Sequence, residues 1–131
     1  REGYYDWEIV DTLLSKSSDT ELFPITFMFI RVRMGDRYFS RDAIFRIMDF
    51  IKGSMGKNHV TAELSKGYFV VIMYKTDLAA AEKTREEMLS KWEAFSKGAE
   101  LETVLREVVS TENPRNTFYH EKDRLLDLAN W

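Results

Sequence analysis

The sequence contains no cysteine among its 131 residues, which excludes a disulfide framework and thiolate metal sites. It shows no signal peptide and no apolar run long enough to span a bilayer, so membrane contact is expected only through segments outside this chain. It also lacks an excess of basic charge, since 19 basic residues face 22 acidic ones. The net charge of -3 gives no general electrostatic reason to expect nucleic acid or anionic lipid as the partner.

What the chain does contain is enough apolar material for one hydrophobic core. Hydrophobic residues make up 44% of it and aromatic residues 14%, and its length is too short for two domains of ordinary size. We therefore expect residues 1–131 to form a single domain. The chain begins REGYYDW without a methionine, so we expect a domain excised from a longer protein.

The spacing of apolar residues changes in an orderly way along the chain. Ser40 is a good N-cap and Gly53 a good stop for one helix, and Lys66-Gly67 gives hairpin spacing between two strand-like runs. The apolar positions of residues 101–111 also fit a helix, but we predict a strand there. The predicted elements, in chain order, are a helix (4–16), a strand (25–33), a helix (41–52), two strands (59–65 and 68–74), a helix (77–96), a strand (101–111) and a helix (118–130).

This order of elements predicts an α+β fold. The inner six elements are those of a ferredoxin-like βαββαβ core, with an antiparallel sheet and flanking helices. The runs ITFMFI and YFVVIMY are apolar on both alternating faces, which is typical of strands that are covered on both sides. The first helix, the last helix or a partner must therefore shield the face that the two main helices leave bare.

The segment Lys66–Tyr68 resembles the start of the third-strand signature of RNA-recognition motifs, which share this order of elements. The match ends there, because Phe69 stands where a small residue is expected and Val70 and Met73 replace stacking aromatics. An RNA platform also needs one open face of the sheet. An RRM-like RNA-binding domain is therefore kept only as a further alternative.

A second resemblance covers nearly the whole chain. The run Ser65-Lys66-Gly67-Tyr68-Phe69 precedes an apolar strand and then Thr76-Asp77, which opens the next helix. In order and spacing, this resembles the GGDEF family of bacterial diguanylate cyclases, which condense two GTP molecules into cyclic di-GMP. The resemblance implies a nucleotidyl-cyclase-like fold, and it aligns the five residues 65–69 with the family's signature, of which only Phe69 is retained.

The replaced residues decide what the resemblance implies for chemistry. Condensing GTP needs divalent cations held by carboxylates, and the family supplies one aspartate at the end of the first core strand. Arg31 and Arg33 occupy the matching positions here, Gly67 and Tyr68 replace the signature's acidic residues, and the connection MGDRYFS is shorter than the family's phosphate loop. The resemblance is therefore to a degenerate domain, a pseudoenzyme with no metal, no cofactor and no catalytic residues.

The family's product-binding motif, Arg-x-x-Asp shortly before the signature, is also absent from the equivalent stretch GKNHVTAELS. Retained cyclic di-GMP binding is therefore not expected. We expect a protein-interaction or scaffold module in bacterial cyclic di-GMP-related signalling or exopolysaccharide secretion, with other protein domains or subunits as partners and a homodimer left open. The expected location is cytoplasmic, including the cytoplasmic portion of a membrane-anchored protein.

The alternative is a receptor module that binds a nucleotide or another anion through Arg31, Arg33 and Lys66. These cations are expected to converge at one end of the sheet. The simpler interpretation is that they are solvated charges paired with Asp36 or Glu63. His59 and His120, far apart in sequence, show no metal spacing and are expected in a turn or at the surface.

Overall fold

The computed structural model describes residues 5–15, 20–33, 40–56, 59–65, 67–96 and 98–127. Within these ranges five strands form one sheet: β1 (Tyr5–Asp6), β2 (Ile25–Arg33), β3 (Val60–Ser65), β4 (Tyr68–Met73) and β5 (Glu100–Val108). The α-helices of the same ranges are α1 (Trp7–Ser15), α2 (Arg41–Gly53), α3 (Leu78–Ser96) and α4 (Pro114–Asp127). A short 3-10 helix, Thr20–Leu22, precedes β2.

The strands lie side by side in the order β1-β3-β4-β2-β5. Strands β2 to β5 are joined by antiparallel pairs, whereas β1 pairs with β3 in parallel. The predicted α+β fold with an antiparallel βαββαβ core is confirmed. The sequence interpretation missed β1, because a strand of two residues is too short to show any alternation.

Strand β4 and the first six residues of β2 are buried on both faces, as the apolar residues on both faces of these runs predict. Helices α2 and α3 cover one face. Ser40 is the N-cap of α2, as predicted: its side-chain oxygen accepts a hydrogen bond from the backbone N–H of Ala43 at 3.1 Å. The buried side chains on this face are Met28, Ile30, Val32, Ile44, Ile47, Met48, Ile51, Phe69, Val71, Met73, Ala81, Met88 and Trp92.

Helices α1 and α4 cover the other face, which confirms that the first and last helices shield it. Phe118 of α4 lies against both Phe27 and Phe29 of β2, with ring centroids 5.7 and 5.8 Å apart. The buried side chains on this face are Val10, Leu14, Ile25, Phe27, Phe29, Ala62, Tyr68, Val70, Ile72, Val108, Phe118 and Leu125.

A polar cluster joins α1 to α4 above this second core. The carboxylate of Asp11 accepts hydrogen bonds from the hydroxyl of Tyr119 at 2.5 Å and from Nε of Arg115 at 2.8 Å. These two bonds lower the pKa of Asp11, the one from Tyr119 contributing most. Asp11 in turn raises the pKa of Arg115, and burial is the main reason why the pKa of Tyr119 is raised. The cluster therefore fixes the position of α4 with an ionised carboxylate.

The predicted boundaries agree with the structure within a few residues, except near the two ends of the chain. The first helix was predicted from residue 4, but Tyr5–Asp6 form β1 and α1 begins at Trp7. The ambiguous segment 101–111 is a strand, as predicted, and it ends at Val108. The last helix was predicted at 118–130, and that start is wrong: α4 begins at Pro114. Asn113 caps the helix by accepting from the N–H of Asn116 at 3.0 Å, so Pro114 takes the first helical position, where a missing N–H costs nothing.

One predicted core residue of α3 is also placed differently. Phe95 was expected on the buried side, but it is 38% exposed and stacks on Phe50 with ring centroids 4.7 Å apart. It therefore borders the core without filling it. No helix within the described ranges is both long and apolar enough to cross a bilayer.

Candidate functional site

The hairpin between β3 and β4 carries the signature positions that the sequence singled out. Ser65 ends β3, and a bulge between Glu63 and Ser65 shifts the register just before the turn. Gly67 has φ +78°, a left-handed conformation that favours glycine. Its carbonyl accepts a hydrogen bond of 2.8 Å from the N–H of Val32, so the turn is joined to the end of β2. Lys66 lies outside the described residues.

The two aromatic residues of the signature region are part of the two cores. Phe69 is fully buried beneath α2 and α3, and Tyr68 is 4% exposed on the opposite face. The Tyr68 ring lies 6.4 Å from that of Phe29, centroid to centroid. Tyr68 stands where the family resemblance places an acidic residue, and here that position serves packing.

Arg31 and Arg33 end β2 next to this hairpin. Arg31 lies opposite Tyr68 on β4 and opposite Glu102 on β5. Because side chains alternate along a strand, both arginines share the α1/α4 face with Phe29. Two of the three predicted anion-binding residues are thus brought to one end of the sheet, and the position of the third, Lys66, is not described.

Of the two predicted ion-pair partners of these arginines, Glu63 is wrong. Nε of Arg33 lies 2.6 Å from Oε1 of Glu102, and both side chains are more than half buried. Glu63 pairs instead with Arg41, the first residue of α2, at 3.2 Å. Asp36, the other predicted partner, lies outside the described residues.

Glu102 and Arg41 are the members of this site that sequence reasoning missed. Their roles follow from pairing across the sheet and from the position of α2 over β3, which bring together residues 69 and 22 positions apart. A local pattern cannot show such a pairing. The only signal was that the strand ELETVLREV carries Glu102 at a position where alternation allows it to face the same side as β2's arginines.

The donor set at this end of the sheet does not fit Mg²⁺. Magnesium is bound by carboxylates, phosphates and water, and the end of β2 instead presents two guanidinium groups. Near the end of β2, Glu102 already pairs with Arg33, and Glu100, opposite Arg33 on β5, is exposed. Glu63, on β3, pairs with Arg41. Nowhere in the described part of the chain do three His, Asp or Glu side chains converge as metal ligands.

The histidines have the ordinary roles that were expected. The backbone N–H of His59 donates to the carbonyl of Gly56 at 3.2 Å, in the connection after α2. His120 is exposed on α4. The RNA-binding alternative is disfavoured by the helices on both faces, because they cover the surface on which bases would stack.

Thr76 and Asp77, the other landmark of the family resemblance, also lie where it places them. Asp77 accepts a hydrogen bond from the N–H of Ala80 at 2.9 Å and so caps α3. The hydroxyl of Thr26 on β2 donates to the carbonyl of Thr76 at 2.7 Å. The path from β4 into α3 is therefore fixed to the central strand.

Comparison with known proteins shows that this chain is similar in fold to solved structures. No family model matches the chain, and no curated protein matches it. Among solved structures, it is similar to the GGDEF domain of FimX from Pseudomonas aeruginosa, with a TM-score of 0.74, 12% identity and coverage of 93% of this chain and 86% of that one. It is also similar to a DGC protein from Thermotoga maritima, with a TM-score of 0.73, 15% identity and 96% coverage of both chains. The chain thus has a GGDEF-like fold.

Proposed function

We propose that the chain is a catalytically inactive GGDEF-like domain that acts by binding other protein domains or subunits. Its context would be bacterial cyclic di-GMP-related signalling or exopolysaccharide secretion. The fold likeness supports the family context, since the two similar structures are a GGDEF domain and a DGC protein. The proposed location is the cytoplasm, including the cytoplasmic portion of a membrane-anchored protein.

The observation that carries the proposed inactivity is the pair of arginines at the end of β2. A guanidinium repels a divalent cation, and one acidic group on the same face, Glu102, is bound to Arg33 at 2.6 Å. Replacing one metal ligand by a neutral residue weakens a site. Placing positive charge there opposes both the metal and its function of neutralising the phosphates.

The direct test is turnover of GTP in the presence of Mg²⁺ or Mn²⁺. We expect no cyclic di-GMP above a blank without protein, while an active diguanylate cyclase produces it under the same conditions. Product formed by this chain and lost when the metal is chelated would overturn the proposal.

A second candidate function is a receptor for a nucleotide or another anion. One observation favours it: Arg31 forms no ion pair with any carboxylate of the described residues, although it is half-buried beside Arg33. A guanidinium that is not neutralised at a sheet end can bind phosphate oxygens through two parallel hydrogen bonds.

Isothermal titration with cyclic di-GMP and with GTP separates the two candidates. Binding that is abolished by Arg31→Ala and by Lys66→Ala would favour the receptor. Arg46→Ala is the matched control, because it removes the same charge from the exposed side of α2. No heat of binding for either nucleotide supports an interaction module.

A further inference from the structure

Strand β5 forms one edge of the sheet. It pairs with β2 along its whole length, from Glu100 opposite Arg33 to Val108 opposite Ile25. No other strand of the described residues pairs with its outer side. Its residues from Leu101 to Glu107 are all partly exposed, whereas every residue of the central strand β4 is buried. The outer backbone groups of β5 are therefore available to a further strand.

An edge of nine residues is long enough to pair with another chain, and monomeric proteins usually block such edges with charge. Like charges on an edge repel a second copy. The β5 edge carries both signs instead: Glu102 and Arg106 lie on the same face of the strand, two residues to either side of Val104.

This arrangement is complementary to itself. When two copies of β5 pair antiparallel about a two-fold axis at Val104, all nine residues of each strand find a partner. Glu102 then lies opposite Arg106 of the second copy, and the same pair occurs again on the other side of the axis. Opposite charges directly across an antiparallel pair stabilise it, and like charges destabilise it.

Other symmetric registers are less favourable. A shift that centres the axis on Glu102 or on Arg106 places two like charges directly opposite each other. Centring on Thr103 or Leu105 leaves parts of the strand unpaired, because the overlap shortens to seven residues. The charge pattern and the length of overlap thus both favour the register centred on Val104.

The charged groups can make the new contacts without losing their internal ones. The ion pair with Arg33 uses Oε1 of Glu102, and within the described residues Oε2 forms no second ion pair, although Arg31 lies opposite on β2. Arg106 holds Glu112 through Nη2 at 2.9 Å, its Nη1 donates to the backbone carbonyl of Glu107, and its Nε lies 3.9 Å from Oε1 of Glu121. Each Nη atom carries two N–H groups, so one N–H on each remains for a further partner.

We propose that two copies of this chain associate through their β5 edges and form one continuous antiparallel sheet across a two-fold axis at Val104. The inference rests on the interaction role proposed above and names its partner as a second copy. The isologous geometry closes the assembly at a dimer, because each copy uses its only described long edge.

The absence of cysteine makes a decisive test possible, since any introduced thiol is the only one in the chain. Val104→Cys places two thiols directly opposite each other at the axis, where Cβ atoms are about 4.5–5.5 Å apart, close to the range a disulfide needs. Thr103→Cys and Leu105→Cys are the matched controls. Their thiols would not face their own copies in this register.

Under mild oxidation we expect Val104→Cys to form the crosslinked dimer at least about tenfold faster than either control, because only its sulfurs meet without backbone movement. Sedimentation equilibrium of the unaltered chain should show a reversible dimer. A monomer at every soluble concentration, or crosslinking that favours position 103 or 105, would overturn the inference.

The outcome is independent of the nucleotide experiments. A monomer that neither binds nor converts GTP removes the dimer and leaves the inactive interaction module in place. A chain that crosslinks at Val104 and also produces cyclic di-GMP retains the dimer and removes the proposed inactivity.

Discussion

The two parts of β2 differ sharply. The first part, Ile25–Ile30, is fully buried and contributes side chains to both cores. The second part, Arg31–Arg33, carries two cations at the end of the sheet, one of them ion-paired. The first part of β2 thus stabilises the fold, and its last residues belong to the candidate site. Because different residues serve the two purposes, the site can change while the sheet is preserved.

The largest loss of stability should follow from truncating a large side chain in the buried part of β2. Phe29 is fully buried and contacts Phe27, Phe118 and Tyr68 by ring packing. Phe29→Ala should lower the free energy of unfolding by about 3–5 kcal/mol, because it removes apolar contacts and leaves a cavity. Urea unfolding followed by circular dichroism measures the change.

Phe95→Ala is the control for this substitution, because it removes the same side chain from a position that is 38% exposed. Its ring stacks at the edge of the core on Phe50 and lies beside Trp92, so we expect a loss of about 1 kcal/mol. Equal losses for the two variants would contradict the assignment of the core to β2.

The same contrast explains what could be predicted from the sequence. The buried strands can be recognised locally, since ITFMFI and YFVVIMY have no charged residue and are apolar on both alternating faces. Ser40 and Gly53 likewise mark the ends of α2 by local chemistry. The identity of these elements therefore did not depend on knowing the fold.

The site depended on information that no local pattern contains. Arg33 was recognised as a residue of the site, but its partner Glu102 is brought close only by the register between β2 and β5. The start of α4 was missed for a different reason. Pro114 acts as a breaker inside a helix and as a favourable first residue at its start, and the Asn113 cap decides between the two.

An intermediate effect on stability is expected at the polar cluster of Asp11, Arg115 and Tyr119, which holds α4 over the core. The pKa of Asp11 is lowered by its hydrogen bonds from Tyr119 and Arg115. A carboxyl group whose pKa is lower in the folded state stabilises the fold fully above its unfolded pKa, near 3.8, and loses this contribution as pH falls through the folded value. The wild-type chain should therefore lose this contribution as the pH falls below about 4.

Asp11→Asn should remove this part of the acid dependence, and the thermal midpoint measured between neutral pH and pH 3 is the readout. Tyr119→Phe is the matched variant, since it deletes the hydrogen bond that contributes most to the shift and leaves Arg115 in place. Tyr119→Phe should also reduce the acid dependence of the thermal midpoint, but by less than Asp11→Asn does. An unchanged pH profile in Asp11→Asn would show that the cluster does not fasten α4.

The smallest effect on stability is expected at the charged end of β2. Arg33 and Glu102 form a short ion pair, but their side chains are 39% and 33% exposed, and water screens pairs of this kind. Arg33→Ala should therefore cost less than about 1 kcal/mol, and a double-mutant cycle with Glu102→Ala should give a coupling energy in the same range. Arg33→Lys serves as the control that keeps the charge and removes the planar guanidinium. A loss comparable to that of Phe29→Ala would mean that the end of the strand is structural. The arginines would then be needed for the stability of the fold. This would contradict the conclusion that different residues of β2 serve the fold and the site.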